Sequence, residues 1–170
     1  LADKLKDPRL VVLEVRYHPH RHHSIGHIPG AVQVQRFADL GANDEMPIMR
    51  FPPRAAFQAT LRRWGVSDDS TVVVYDDSST ALASRVMFLL DLYGFDMRRV
   101  KLLDGGTIGW TGFNELTKAA TAPRPPGKVT LKAAPAAGLV GWTDVYRRVV
   151  AERDPKITLL DARPADMYEG

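Results

Sequence analysis

The chain has 170 residues, of which 45% are hydrophobic and 25% charged, with a formal net charge of +3 and no cysteine. This composition is typical of a folded globular protein, and it excludes disulfides, cysteine nucleophiles and thiolate metal sites within these residues. The longest apolar runs, at 10–13 and 86–90, are too short for a membrane-spanning helix, so we expect no contact with a membrane.

Strands and helices alternate along the first 120 residues. Apolar, β-branched or alternating runs predict strands at 10–16, 31–35, 71–75 and 100–103. Helical spacing and Gly or Pro boundaries predict helices at 52–64, 81–93 and 108–116. This alternation is typical of βαβ units, so the predicted fold class is α/β with a mainly parallel sheet flanked by helices.

The composition changes after residue 120. Residues 121–138 contain four prolines and two glycines, which predict an extended linker between domains. Beyond it, the pattern predicts a helix at 142–152 and a strand at 157–162. We therefore expect one domain at 1–120 and the beginning of a second at 139–170.

An internal repeat relates these two parts. A shift of 147 positions aligns DPRLVVLEVR at 7–16 with DPKITLLDAR at 154–163, with four identities in ten positions and similar residues elsewhere. The chain is therefore predicted to contain one copy of a domain and the start of another. The pairs Glu14–Arg16 and Asp161–Arg163 recur in both copies, and we interpret them as ion pairs that stabilise the fold.

Five features of the first copy occur in a characteristic order. They are LEVR at 13–16, GHIPGA at 26–31, VVVYDD at 72–77, LLDGG at 102–106 and Trp110. In order and spacing they resemble the rhodanese family, and more narrowly the first domain of a two-domain thiosulfate or 3-mercaptopyruvate sulfurtransferase. The resemblance covers nearly all of residues 1–120 and implies a rhodanese-like fold.

The resemblance implies an enzyme that moves sulfane sulfur from thiosulfate, or from 3-mercaptopyruvate, to cyanide or a thiol through a cysteine persulfide. In such enzymes the nucleophilic cysteine lies in the second domain, in the loop after its central strand. The repeat places that loop near position 223, outside these 170 residues. We therefore expect this chain to be the inactive half, without a cofactor, in contact with its own second domain. A catalytically silent module that binds or regulates a partner is the alternative.

The equivalent loop of the first copy follows the strand at 71–75. It consists of Asp76, Asp77, Ser78, Ser79 and Thr80. A strand that enters a helix through a short loop directs backbone N–H groups into one pocket, which favours an anion or a thiolate. A carboxylate is a poor nucleophile toward sulfur, so we interpret these residues as helix caps worth about 1 kcal/mol each. Arg85, further along the helix, is expected either to brace the loop carboxylates or to lie exposed.

Three further patterns bear on ligands and location. The start of the second copy has Met167 where many family members have an arginine that holds the anionic donor, which favours thiosulfate or an unassigned donor over mercaptopyruvate.

All five histidines lie between His18 and His27, but Pro19 and Arg21 interrupt them. We predict a solvated loop without a metal site, in which His27 of GHIPGA has a structural role in the turn.

The arginine pairs are scattered along the chain, so we expect no binding of nucleic acid. No signal peptide is visible, and we therefore expect a cytoplasmic protein.

Overall fold

The structure is a computed structural model that describes residues 1–42, 50–132 and 139–169. The chain divides into two compact units, Leu1–Pro135 and Ala136–Gly170. Among the described residues, no helix has both the length and the apolar character needed to cross a membrane.

A four-stranded parallel sheet forms the centre of the first unit. Its strands in chain order are β1 (Leu10–Val15), β2 (Val32–Val34), β3 (Thr71–Asp76) and β4 (Val100–Leu102). Their spatial order is β2-β1-β3-β4, so β1 and β3 are the central pair. Both central strands are almost entirely buried, as expected for apolar strands covered on two faces. The predicted α/β fold class is confirmed, together with the four strands predicted before residue 120.

The helices that cover this sheet are close to those predicted, with two differences. They are α1 (Arg21–Ser24), α2 (Arg54–Arg63), α3 (Ala81–Leu92) and α4 (Gly106–Thr111). α1 was not predicted. α4 begins earlier and ends earlier than the predicted helix at 108–116, because the chain after Thr111 turns back and pairs Thr117 with His27.

Two apolar clusters cover opposite faces of the sheet, because successive side chains of a strand point to opposite sides. The larger cluster contains Val11, Leu13, Val72 and Val74 together with Phe57, Leu61, Val86 and Leu90 of α2 and α3. The smaller cluster contains Leu10, Val12, Val73 and Tyr75 together with Ile28, Ala31 and Trp110. This double layer holds the carboxyl ends of β1 and β3 rigidly side by side.

Residues 120–132, which we call the strap, lie along the first unit. Val129 and Leu131 are buried in the larger apolar cluster. The backbone N–H of Leu131 donates to Gln58 at 2.8 Å, and that of Lys132 donates to the carbonyl of Tyr93 at 2.9 Å. The described part of the predicted linker is therefore packed against this unit. Residues 133–138 lie outside the described residues, so a connection between two domains stays a prediction.

The second unit contains short helices. α5 (Trp142–Val145) continues into a π-helical turn at Tyr146–Ala151, and α6 (Ala165–Glu169) follows later. The predicted strand at 157–162 is wrong for residues 139–169 as described, where no strand forms. A strand needs a neighbouring strand to satisfy its backbone N–H and C=O groups, and the described part of this unit offers none.

Candidate functional site

The candidate site lies at the carboxyl end of β3, where the loop 77–80 leads into α3. Asp76 is the last residue of β3 and pairs with Val15 of β1, whereas the sequence placed it in the loop. Its side chain is buried, with 3% of the residue exposed. The carboxyl ends of parallel strands share one edge of the sheet, which is where open α/β folds place their ligand sites.

The carboxylate of Asp76 accepts hydrogen bonds from four backbone N–H groups. Oδ1 accepts from Ser78 at 3.0 Å and Thr80 at 2.9 Å, and Oδ2 accepts from Leu82 and Ala83 at 2.8 Å each. We call these four N–H groups the Asp76 cradle. The first N–H groups of a helix lack intrahelical partners, and a carboxylate at this position stabilises them. The capping oxygens therefore come from Asp76, since Thr80 makes no side-chain cap of its own.

The loop that forms this cradle has a strained backbone. Ser79 has φ of +52° and Thr80 has φ of +73°, in the left-handed region that residues with a side chain rarely adopt. Such conformations persist when the surroundings determine them strongly. Here the hydrogen bonds that converge on Asp76 fix both neighbours of Ser79, so the carboxylate holds the loop in shape.

The LLDGG turn closes over the same strand end. Gly106 has φ of +52°, and a Cβ atom there would lie 2.5 Å from the backbone oxygen of Asp76. The Thr107 hydroxyl donates to that oxygen at 3.2 Å. A cavity of about 330 Å³ opens between the turn and the loop, and its lining includes Ser79 and Ile108. Only a glycine at 106 permits this close approach.

Asp77, the next residue, connects the loop to the end of β1. Its carboxylate accepts from the backbone N–H of Tyr17 at 3.0 Å and forms ion pairs with Arg21 at 3.4 Å and Arg16 at 3.6 Å. Partial burial raises the pKa of Asp77, but these donors outweigh it and hold the pKa below its ordinary value. The Ser78 hydroxyl adds a bond to the same carboxylate at 3.3 Å. Asp77 is therefore an ionised anchor that ties the loop to β1.

A buried polar network supports this edge, and the sequence predicts only its Glu14–Arg16 pair. Glu14 accepts from the Tyr75 hydroxyl at 2.7 Å and pairs with Arg16 at 2.9 Å, and its second oxygen contacts Nδ1 of His22. The Tyr75 hydroxyl also accepts from the backbone N–H of Ile28 at 3.0 Å. Burial raises the pKa of Glu14, but its hydrogen bonds to His22, Tyr75 and Arg16 outweigh burial and lower it. A glutamate inside an apolar strand was the available signal, because a buried charge requires partners.

The histidine-rich segment is only partly a solvated loop, because His18, His20 and His23 are exposed as predicted, whereas His22 and His27 are buried. His22 lies in α1 and is 3% exposed, and His27 is fully buried. Their rings stack at 3.7 Å between centroids, and Nδ1 of His27 lies 3.1 Å from the carbonyl oxygen of His22. Burial lowers the pKa of His27. The described ranges hold no cluster of three or more metal-ligand side chains, and the absence of a metal stays a prediction.

Arg85 neither braces the loop carboxylates nor lies free on the helix, so both expectations are wrong. Its guanidinium donates to the carbonyl oxygen of Leu40 at 2.8 and 3.2 Å, and to that of Arg50 at 3.4 Å. It also stacks over Phe51, with its central carbon 4.5 Å from the ring centre. Arg85 therefore holds backbone near the end of β2 and before α2.

The two repeated ion pairs predicted from the sequence both form. Arg16 and Glu14 are buried, with a nitrogen-to-oxygen distance of 2.9 Å. Arg163 and Asp161 are exposed, with a nitrogen-to-oxygen distance of 2.5 Å.

Met167, the residue that bears on the sulfur donor, lies in α6 and is 59% exposed.

Comparisons with known proteins agree with this geometry. Residues 1–112 match the family model of the rhodanese-like domain. The 3-mercaptopyruvate sulfurtransferase of Escherichia coli K12 is 29% identical over 179 residues, which cover 99% of this chain and 60% of that protein. The thiosulfate sulfurtransferase of Corynebacterium glutamicum is 37% identical over 111 residues, which cover 65% of this chain and 35% of that protein.

A solved structure gives the same result. The crystal structure of SseA from Escherichia coli, described as a 3-mercaptopyruvate sulfotransferase, matches with a TM-score of 0.83 and 27% identity. The match covers 99% of this chain and 64% of SseA, so this chain spans less than two thirds of the length of these relatives. With its fold, its loop and its family match in agreement, the chain belongs to the rhodanese family, in which the two relatives named above are sulfurtransferases.

Proposed function

We propose that this chain is the non-catalytic half of a two-domain sulfurtransferase. Residues 1–120 form the inactive rhodanese-like domain, 121–138 connect the domains, and 139–170 begin the second copy. The 147-residue repeat supports this organisation, as does the length of the relatives. The exposed apolar side chains of the second unit, which include Trp142 and Leu160, support a further part of that domain that covers them.

The proposed reaction takes place on a cysteine of the second domain. Its thiolate attacks the outer sulfur of thiosulfate, the S–S bond of the donor breaks, and sulfite leaves with the bonding electron pair. The resulting persulfide then gives its outer sulfur to cyanide, which yields thiocyanate and restores the thiolate. With 3-mercaptopyruvate as donor, the C–S bond breaks and pyruvate leaves after gaining one proton. Met167, which stands where many family members have an arginine, favours thiosulfate or an unassigned donor over 3-mercaptopyruvate.

The observation that carries the inactive role is the Asp76 cradle. Backbone N–H groups at a helix start are suited to a thiolate or an anionic donor. In this chain they bind a buried carboxylate of the chain itself, and no cysteine is present. A second anion at the same N–H groups would have to displace Asp76. The loop therefore keeps the framework of a sulfur site and lacks its chemistry.

The inactive half would supply one rigid wall of the active site. The side chains of Tyr17, Phe37 and Ile108 follow the ends of β1, β2 and β4 and are 51%, 51% and 84% exposed. Exposed apolar residues at one edge of the sheet favour contact with another domain.

The alternative function, a silent rhodanese-like module that binds or regulates a partner, fits the same surface. A cysteine in the loop of the second domain distinguishes the two. Location in the cytoplasm stays a prediction.

Intact-mass spectrometry of the full-length protein tests the proposal. After incubation with thiosulfate we expect the mass to increase by one sulfur atom, and cyanide should remove that sulfur and release thiocyanate. A parallel incubation with 3-mercaptopyruvate compares the two donors. Replacement of the second-domain cysteine by serine should abolish the increase. If the full-length protein takes up no sulfur from either donor, the silent module is favoured.

A further inference from the structure

A second cavity of the first unit shares no lining residue with the cavity between the LLDGG turn and the loop 77–80. It lies between α1, the start of β2, the end of α2 and the strap, and has a volume of about 250 Å³. Its polar lining residues are His22, His23, Gln33, Arg63, Thr121 and Arg124. Both basic and apolar side chains line it, and no aspartate or glutamate is among them. Such a lining favours a small anion.

Arg124 is held in place at one side of this cavity. Its stem lies over Gly65, where a Cβ atom would come within 2.9 Å of the Arg124 Cβ. One guanidinium nitrogen donates to the carbonyl oxygen of Pro8 at 3.0 Å. Within the described ranges no carboxylate pairs with Arg124. A guanidinium carries five N–H donors, so most of this fork is available to a ligand.

Arg63 contributes a second guanidinium. It pairs with Asp39, whose other carboxylate oxygen accepts from the backbone N–H of Gln35 at 2.8 Å. Asp39 is buried, whereas the Arg63 side chain is 61% exposed. The ion pair fixes one end of the guanidinium. Because one carboxylate cannot bind all five N–H groups, the remaining N–H groups of Arg63 can bind a ligand.

His22 adds a buried polar group to the cavity wall. Its Nδ1 is bound to Glu14, and its ring is supported from one face by His27. The ring is therefore a fixed part of the cavity wall. A carboxylate bound to one nitrogen of an imidazole fixes the orientation of the ring. The exposed His23 lies beside it, with ring centres 4.9 Å apart.

We propose that this cavity binds a small tetrahedral oxyanion, either inorganic sulfate or phosphate or the corresponding group of a small ester. Arg124 and Arg63 are the groups that would hold it, because planar guanidinium forks match the paired oxygens of such anions, and His22 lies in the wall beside them. The apolar wall formed by Ala31, Val32 and Pro123 leaves room for a small substituent. This site is independent of sulfur transfer, and the protein would bind the anion whether or not it has enzymatic activity.

NMR titration of the protein tests the site, with the ring ¹⁵N signals of His22 and the side-chain signals of Arg124 as readouts. Sodium sulfate, sodium phosphate and methyl phosphate are the probes, at constant ionic strength set with chloride. A residue-specific readout is needed because sulfate stabilises most proteins by exclusion from their surface. We expect saturable shifts at both residues. Stronger binding of methyl phosphate than of phosphate would identify an ester as the preferred ligand, and the reverse order an inorganic ion.

Arg124→Gln should weaken binding about tenfold, because it removes a charged fork and keeps a polar side chain of similar length. Arg98→Gln is the matched control, since Arg98 is exposed and lies outside the cavity. Arg63→Gln provides a second variant with the same expectation. Unsaturable shifts with all three probes would overturn the proposal, as would equal affinity in Arg124→Gln and the unchanged protein. Equal losses in Arg98→Gln and Arg124→Gln would show a general charge effect and would also overturn it.

Discussion

The carboxylate of Asp76 accepts a hydrogen bond of 2.8 Å from the backbone N–H of Ala83, seven residues further along the chain. The bond spans the whole loop and joins the end of β3 to the first turn of α3. Together with three other N–H groups it makes the carboxylate the centre of the turn. The stability of this loop therefore depends on Asp76, the last residue of β3.

Replacement of Asp76 by alanine should destabilise the protein by about 2 kcal/mol, more than an ordinary cap, because four N–H groups lose a charged acceptor together. Chemical denaturation measures the change. Asp76→Asn keeps one acceptor oxygen and should lose less. Asp91→Ala on the exposed face of α3 is the control and should change stability little. An unchanged unfolding free energy for Asp76→Ala would contradict the capping role. Activity of the full-length protein should remain nearly intact.

Asp76→Cys places a thiol among the same N–H groups. These groups and the start of α3 should lower the pKa of that thiol below the usual value of about 8.5. Since the 170-residue chain has no other cysteine, its alkylation by iodoacetamide at pH 7 reports this thiol alone. We expect alkylation faster than that of free cysteine but little sulfur transfer, because the ionised Asp77 repels anionic donors. Alkylation no faster than that of free cysteine would show that the loop does not activate a thiol.

Glu14→Gln should destabilise the protein by about 3 kcal/mol, because it leaves the buried Arg16 without its close partner. Glu115→Gln, at an exposed position, is the control and should have little effect. Chemical denaturation at pH 7 gives both values. If the two variants lose the same small amount, Glu14 is not the centre of the buried network.

The same network predicts how stability depends on pH. The pKa of Glu14 lies below its ordinary value of 4.5 in the folded state, so the unfolded chain binds the proton more tightly. The stability that Glu14 provides is therefore complete well above pH 4.5 and is lost as the pH falls through the folded pKa. Unfolding free energies measured from pH 7 down to about 3 should fall, and less steeply in Glu14→Gln. Parallel curves for both proteins would argue against the lowered pKa.

Gly106→Ala tests the contact between the LLDGG turn and β3. A methyl group would lie 2.5 Å from the Asp76 backbone oxygen at a φ of +52°, so we expect a loss of about 2 kcal/mol. Gly112→Ala is the matched control, because its φ is −63° and its nearest neighbour would be 3.6 Å away. Thermal unfolding compares the two. Equal stability would show that the turn can move away without cost.

The sequence was sufficient for the sheet of the first unit and insufficient for its polar core. The apolar runs at β1 and β3 and the glycines after α2 and α3 identify their elements by local pattern alone. The burial of His22 depends on its contact with Glu14, which forms only when α1 packs against β1. Local composition therefore predicted a solvated loop, because polar residues in a loop are usually exposed.

Two other differences have the same physical origin. Residues 157–162 have the composition of a strand, but a strand also needs a partner, which composition does not show. Arg85 binds carbonyl groups near residues 40 and 50, and neither is its neighbour in the sequence. By contrast, the importance of Asp76 was visible in the sequence because a strand, a polar loop and a helix follow one another there. Its four N–H donors were not, since they depend on the unusual backbone of Ser79 and Thr80.

Thiocyanate formation from thiosulfate and cyanide, measured for the 170-residue chain and for the full-length protein under the same conditions, tests the proposed division of labour most directly. We expect the 170-residue chain to give only the uncatalysed rate, because it has no cysteine to accept sulfur. The full-length protein should turn over, and should lose turnover when the cysteine of its second domain is replaced by serine. Catalysis by the 170-residue chain above the uncatalysed rate would contradict a non-catalytic role for the domain built around Asp76.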